Sequence, residues 1–334
     1  MCSSLNMYLH ALLLFLSYLL LAQPTLGTDT STANITANVA DITNSSFFIA
    51  KPDCPLKCGG ITVPYPFGFG KSGCSVSSWF DLTCDTSSDP PKLFLGGLEV
   101  SSISQTQLRI RNHVAVRCYN PDGTTNYTNS GWIRLGEGGT FSDTANKFTV
   151  VGCNVYAWIT WSNEDRKFNT GCSPECSTIG EVRPGKCTGL GCCQIDIPKG
   201  FTDFMVSPLR VYNETETETE VSSPCTYAFL GEQDRFKFEG ESDFGFPKTV
   251  ESRILRTVPV VIDFVIGNQN CSEARNSGTW LCHGDDPLCT DSDSGNGGYL
   301  CTCKHGYEGN PYLNPGCKGL LLAMLYLFFQ VVLL

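Results

Sequence analysis

Cysteine constrains this chain more than any other residue. Of the 19 cysteines in 334 residues, Cys2 falls in an apolar N-terminal run and the other 18 lie between Cys54 and Cys317. An even set of that density is a disulfide framework in an oxidising compartment, and a store of metal ligands or reactive thiols in a reducing one. The N-terminus decides between them. Residues 1–27 carry no Lys or Arg, run through "ALLLFLSYLLLA" and end in Thr25-Leu26-Gly27. The apolar block is too short to span a bilayer comfortably, so a cleaved secretory signal peptide is expected over 1–27, a short N-terminal anchor being the competing reading. Asn-X-Ser/Thr sequons at Asn34, Asn44, Asn126, Asn213 and Asn270 point the same way, since each needs exposure in the secretory pathway to carry a glycan. Nine disulfides are therefore expected. Cys54-x3-Cys58 and Cys172-x3-Cys176 have tolerable metal spacing, but exported thiolates usually oxidise, so neither a zinc site nor a cofactor is expected.

The rest of the chain reads as loop-rich β structure. Charged residues are scarce at 17%, while Gly (33) and Pro (18) are plentiful, which suits domains that rely on disulfides as well as on core. "KLFLGGLEV", "QLRIRNHVAVRCY" and "NKFTVVGCNVYAWITW" are rich in β-branched and aromatic residues and separated by turn clusters. No stretch sustains a helical period. The expected class is mainly β: disulfide-rich secreted β domains followed by a small module. The expected boundaries are a glycosylated leader at 28–50, a first domain at 51–156, a cysteine-rich middle region at 157–268, a six-cysteine unit at 271–317 and a hydrophobic tail at 319–334. The acidic run "NETETETE" reads as a solvated loop with a glycan on Asn213. Adjacent Cys192 and Cys193 cannot easily pair with each other, and are expected to staple two separate strands to one point. Six cysteines in the last unit leave twelve upstream, so each portion is even and no bridge between them is required.

Charge is uneven. Residues 51–155 hold nine Lys/Arg against eight Asp/Glu, whereas 156–318 hold fourteen against twenty-three. An acidic partner would meet least repulsion at the first domain.

Several motifs resemble the extracellular portion of plant wall-associated receptor kinases. "CPLKCGGITVPYPFGFGKSGC" with "FDLTC" is similar to the opening of their galacturonan-binding domain, and "NKFTVVGCNVYAWI" to its later strand. "GCCQIDIPKG", "CTYAFLGE" and "VPVVIDFVIGNQNCSEA" resemble the segment that follows, and the C-x-C at Cys301 to Cys303 with "GYEGNPYLNPGC" resembles an EGF-like repeat. The resemblance implies the pairs Cys271–Cys289, Cys282–Cys301 and Cys303–Cys317 in that repeat. It implies pectin as the ligand of the first domain. Kinase activity does not carry over, because no catalytic-loop "HRD" is present. Calcium dependence does not carry over either, since "GNQN" stands where an acidic lead-in would.

Galacturonic acid carries one carboxylate per unit, which Lys and Arg can pair with, and an apolar ring face on which an aromatic side chain can stack. Lys57 and Lys71 flank a Pro- and Gly-rich loop bearing Tyr65, Phe67 and Phe69. Arg109, Arg111, His113 and Arg117 alternate, so on one continuous strand all four would share a face. These are the candidate binding residues. The competing readings are a half-exposed strand with a basic face, and core packing for the aromatics. Catalysis is not expected. His10 lies in the signal peptide, His283 and His305 sit in a module with little interior, and no nucleophile motif accompanies His113.

The expected function is non-catalytic binding of acidic wall polysaccharide at the cell surface by a kinase-less relative of these receptors. The alternative is a protein-interaction or decoy ectodomain with a peptide or receptor partner. No nucleic-acid partner is expected. "GLLLAMLYLFFQVVLL" is short for a spanning helix at ~1.5 Å per residue. It is read as a short or tilted membrane anchor, against a cleaved lipid-anchor signal or a truncated product.

Overall fold

Most strands alternate as a half-covered sheet should: Lys92–Leu95 and Gln107–Ile110 bury every second residue, and Gly131–Arg134 buries Gly131 and Ile133 while exposing Trp132 and Arg134. Three strands depart from alternation by burial. Asn146–Val151, Cys225–Glu232 and Val260–Phe264 are buried almost throughout, because structure covers both of their faces. The structure is a computed structural model that describes residues 49–163, 166–210 and 223–319. The expected signal peptide, nearly all of the leader with Asn34 and Asn44, the acidic run with Asn213, and the tail after Gly319 lie outside the described residues.

Three larger sheets organise the described chain. The seven-stranded sheet runs in the order Gly139–Phe141, Val260–Phe264, Gln107–Ile110, Leu98–Ile103, Lys92–Leu95, Asp81–Asp85, Gly68–Phe69. The five-stranded sheet runs Cys192–Ile195, Asn146–Val151, Cys225–Glu232, Ala115–Tyr119, Thr125–Asn129. The four-stranded sheet runs Gly131–Arg134, Asp203–Arg210, Val155–Asn163, Arg166–Cys172. Pairing within them is antiparallel except where Gly68–Phe69 joins Asp81–Asp85. Two hydrophobic clusters fill the interior, one containing Phe67, Leu93, Ile110, Phe141, Ile159 and Phe264, the other Tyr227, Phe229, Phe238 and Ile254. Helix α1, Pro247–Thr257, starts on a proline and turns Val250 and Ile254 into the second cluster. Arg253 pairs with buried Asp243 to fix its orientation.

The expected boundary at 156/157 does not separate domains. It falls inside Val155–Asn163, and strands from both sides of it pair in all three larger sheets. Leu108 lies opposite Ile262, Val116 lies opposite Tyr227, and the Cys118–Cys225 disulfide locks the second pairing. Strand partners are chosen by burial across the fold, which a linear change of composition does not report. Adjacent Cys192 and Cys193 also differ from expectation. Cys193 bonds Cys172 at a strand end, whereas Cys192 bonds Cys187 only five residues upstream. One strand and one local loop meet there, not two strands. Among the described residues the class is a disulfide-rich, mainly β fold with nine disulfides.

Polar side chains tie the sheets together. Buried Asn146 donates to the carbonyls of Ser142 (2.9 Å) and Val261 (2.7 Å) and accepts from the Val261 amide (2.9 Å). Arg109, on the seven-stranded sheet, grips Glu232, at the end of a five-stranded-sheet strand, through Nε and Nη2 with a closest approach of 2.6 Å.

The six-cysteine unit opens with α2, Cys271–Ser277, capped reciprocally by Asn270 and Glu273. Its disulfides are Cys271–Cys289, Cys282–Cys301 and Cys303–Cys317. The unit packs onto the body: the described residues fall in one compact unit. Asn310 donates to the carbonyls of Tyr65 (2.6 Å) and Ile49 (3.1 Å) while accepting from the Tyr312 amide (2.9 Å). Ile266 and Tyr299 exchange backbone hydrogen bonds at 2.8 and 3.2 Å. Among the described residues no helix is long and apolar enough to cross a membrane.

Two outcomes are expected. Asn310→Ala leaves the buried Tyr65 carbonyl without that donor and the Ile49 carbonyl with only the Tyr65 amide, so hydrogen exchange should quicken across 305–317 and 62–66 with all disulfides intact; unchanged protection would show that the unit docks by other means. The Arg109 contact holds the Glu232 carboxyl below the ordinary carboxylate range. A depressed carboxyl stabilises fully above its unfolded value and loses that contribution as pH falls through the folded one. Denaturation midpoints of the parent and Glu232→Gln should therefore differ at pH 7 and converge as pH drops below about 4.3.

Candidate anion-binding cleft

The hairpin order of the seven-stranded sheet gathers cations on one face of its central strands. Phe94 lies opposite Glu99, so Lys92, two residues away, shares its face and donates to Glu99 at 3.4 Å. Arg111 follows the next strand, donates its amide to the Glu99 carbonyl at 2.7 Å and places its guanidinium 3.2 Å from the Glu99 carboxylate. Glu232 plays the same part for Arg109 and for Arg235, the latter at 3.3 Å. The C-terminal turn of α1 brings up Arg256, which donates to the Ser252 carbonyl at 3.1 Å and makes no ion pair among the described residues.

These side chains border a cleft of about 640 Å³, closed on another side by Gly60, Ile61 and Ser88 to Pro91. Five cations stand against Asp89, Glu99 and Glu232, a surplus of two positive charges. Each glutamate orients two cations without using all their donors, and a guanidinium fork matches a carboxylate in two parallel hydrogen bonds. Arg109 is 24% exposed and already holds Glu232 at both ends of its fork, so its role is to position. Lys92, Arg111 and Arg235 are 42, 43 and 61% exposed and keep donors for a ligand.

Of the expected binding residues, Arg109 and Arg111 meet at this cleft. The others lie elsewhere. The chain leaves the sheet after Ile110, where buried Asn112 donates to the Leu230 (2.7 Å) and Val258 (2.9 Å) carbonyls. Arg117 therefore belongs to the five-stranded sheet, and no single strand carries a four-residue ladder. His113 lines a different cavity, its pKa lowered by burial and by Arg111. Lys57 is exposed on the small hairpin with Ile61–Thr62, and Lys71 is exposed beyond the loop. Tyr65 and Phe67 are buried, so neither offers a face to a sugar. Phe67 packs at 4.9–5.0 Å from Phe264 and Phe80, and the Lys51 ammonium lies 4.7 Å above Tyr65. Asn126 is exposed on Thr125–Asn129, and Asn270 caps α2. Lys92, Arg235 and Arg256 escape a sequence reading because only tertiary pairing unites them. Among the described residues no group of three or more His, Cys, Asp or Glu is placed to hold a metal ion.

Comparison with known proteins gives the cleft a context. The family described as wall-associated receptor kinase galacturonan-binding matches residues 54–113. Wall-associated receptor kinase 2 of Arabidopsis thaliana is 37% identical over 276 residues, covering 80% of this chain and 34% of that protein. Wall-associated receptor kinase 4 of the same plant is 36% identical over 270 residues, with the same coverage. The chain thus spans about a third of the length of these relatives. No solved structure gives a significant match. Residues 54–113 therefore match the domain family described as wall-associated receptor kinase galacturonan-binding, in a chain similar to those kinases over four-fifths of its length.

Proposed function

We propose that this chain binds demethylated galacturonan of the plant cell wall, without catalysis and on the outer side of the plasma membrane. The observation that carries this reading is the cleft, where Lys92, Arg111, Arg235 and Arg256 border a space of about 640 Å³ beside the matched domain. A galacturonan offers carboxylates at regular intervals, so one polymer supplies many weak contacts whose strengths combine. The surplus charge favours an anion although the whole chain carries a net charge of −10. Exposed ion pairs are screened over about 10 Å at 0.1 M salt, so such binding weakens as salt rises.

Purified secreted protein should bind demethylated polygalacturonate more tightly than the fully methyl-esterified polymer, whose carboxylates are masked. Arg111→Gln and Arg256→Gln should each weaken that binding by roughly fivefold, about 1 kcal/mol. Equal affinity for the two polymers would reject carboxylate recognition. Unchanged affinity in both variants would move recognition away from this cleft.

A further inference from the structure

A second, larger cavity has a different chemistry. It measures about 1240 Å³ and lies among the Trp79 turn, the segment after strand Gly131–Arg134, the start of Asp203–Arg210, Asn268, and Asn296 of the six-cysteine unit, the last two separate in sequence. A neighbouring cavity of about 510 Å³, walled by Trp132 and His113, shares Ser78, Trp79 and Arg134 with it. The two cavities adjoin at these shared residues and together form one groove.

Its walls are fixed by other contacts. The Trp79 indole donates to the Leu135 carbonyl at 2.7 Å and lies across Gly138, where a Cβ would come within 2.3 Å of the ring. On the far side, Lys199 pairs with Asp293, and the Asn296 amide donates to the Gly200 carbonyl at 3.3 Å. Gly200 has φ +80°, and its Cβ position lies 2.2 Å from the Ser294 carbonyl oxygen, an approach that only glycine permits.

Trp132 is 62% exposed and shares its strand face with Arg134. Arg134 stands opposite Asp203 in register yet forms no ion pair among the described residues. Asp203 instead accepts from the Ser162 hydroxyl at 3.2 Å. One guanidinium faces three carboxylates, Glu137, Asp203 and Asp81, so this groove carries no positive surplus. An indole face suits the C–H face of a sugar ring, while carboxylates and amides accept from its hydroxyls and a guanidinium donates to them. An anionic chain has no advantage here.

We propose that this groove is a second carbohydrate site, which takes an uncharged saccharide chain laid from Trp132 past Arg134 and Trp79 to Asn296 of the six-cysteine unit. It uses none of the cations assigned to galacturonan, so either site can fail without the other.

The test is calorimetric titration of the full secreted chain with two probes, a neutral xyloglucan oligosaccharide and a fully methyl-esterified galacturonan oligosaccharide. At least one should bind saturably, with affinity unchanged within twofold between 50 and 500 mM salt. Binding by one identifies the source of the uncharged sugar. Trp132→Ala and Arg134→Gln, both at exposed positions, should each weaken it by about tenfold, while Arg111→Gln leaves it intact. Three results would overturn the proposal: neither probe binds, both groove variants bind like the parent, or Arg111→Gln weakens the uncharged probe as much as Trp132→Ala does.

Discussion

The strand Val260–Phe264 holds the arrangement together. It pairs with Gln107–Ile110 on one side and Gly139–Phe141 on the other, and it is buried apart from partial exposure at Asp263. Phe264 packs edge-on against Phe67 and Phe80, and the Val261 amide and carbonyl are both held by Asn146. Burying each large apolar side chain of such a strand contributes roughly 1.5–3 kcal/mol. Its placement also fixes what flanks it in sequence. Upstream, α1 delivers Arg256 to the cleft; downstream, the chain passes through Asn268 into the six-cysteine unit and completes the polar groove. Both candidate sites depend on where this strand docks.

The two sites show how one acidic chain can present opposite surfaces. In the cleft, Glu99 and Glu232 act as internal counterions, holding four cations close together that would otherwise repel. In the groove, Asp203 turns to Ser162, so Arg134 stays exposed without a surrounding excess of positive charge. Glutamates that orient arginines in one place and an aspartate that does not in the other produce the difference. The local environment, rather than the formal total, sets what each surface attracts.

Much of the fold could be read from the sequence, for identifiable reasons. Cysteine parity survives any folding topology, and β-branched alternation reports a covered face wherever the strand ends up, as in "KLFL" and "QLRI". The sequence does not state which strand lies alongside. Alternation alone carries Arg109 through Arg117 along one imagined ladder, whereas buried Asn112 sends the chain into a second sheet. Tyr65 and Phe67 mislead for a related reason: a Pro- and Gly-rich loop looks exposed in sequence, but disulfides at both of its ends and the docked Asn310 bury it. Arg111 could be picked out because it lies close to Arg109 in sequence. Arg235 and Arg256 could not, since their proximity to Lys92 exists only after folding.

The same strand has a consequence in time. The ribosome delivers Gln107–Ile110 roughly 150 residues before its partner Val260–Phe264, an interval of about 8–30 s at ordinary synthesis rates. During that interval the growing sheet has an open edge, and Cys118 waits for Cys225, 107 residues away. The growing chain thus carries unpaired thiols beside an unpaired strand, so correct bridging depends on holding the early cysteines uncommitted until late sequence arrives. Maturation of this chain is in that sense a problem of order of arrival, and the last third of the sequence completes the first.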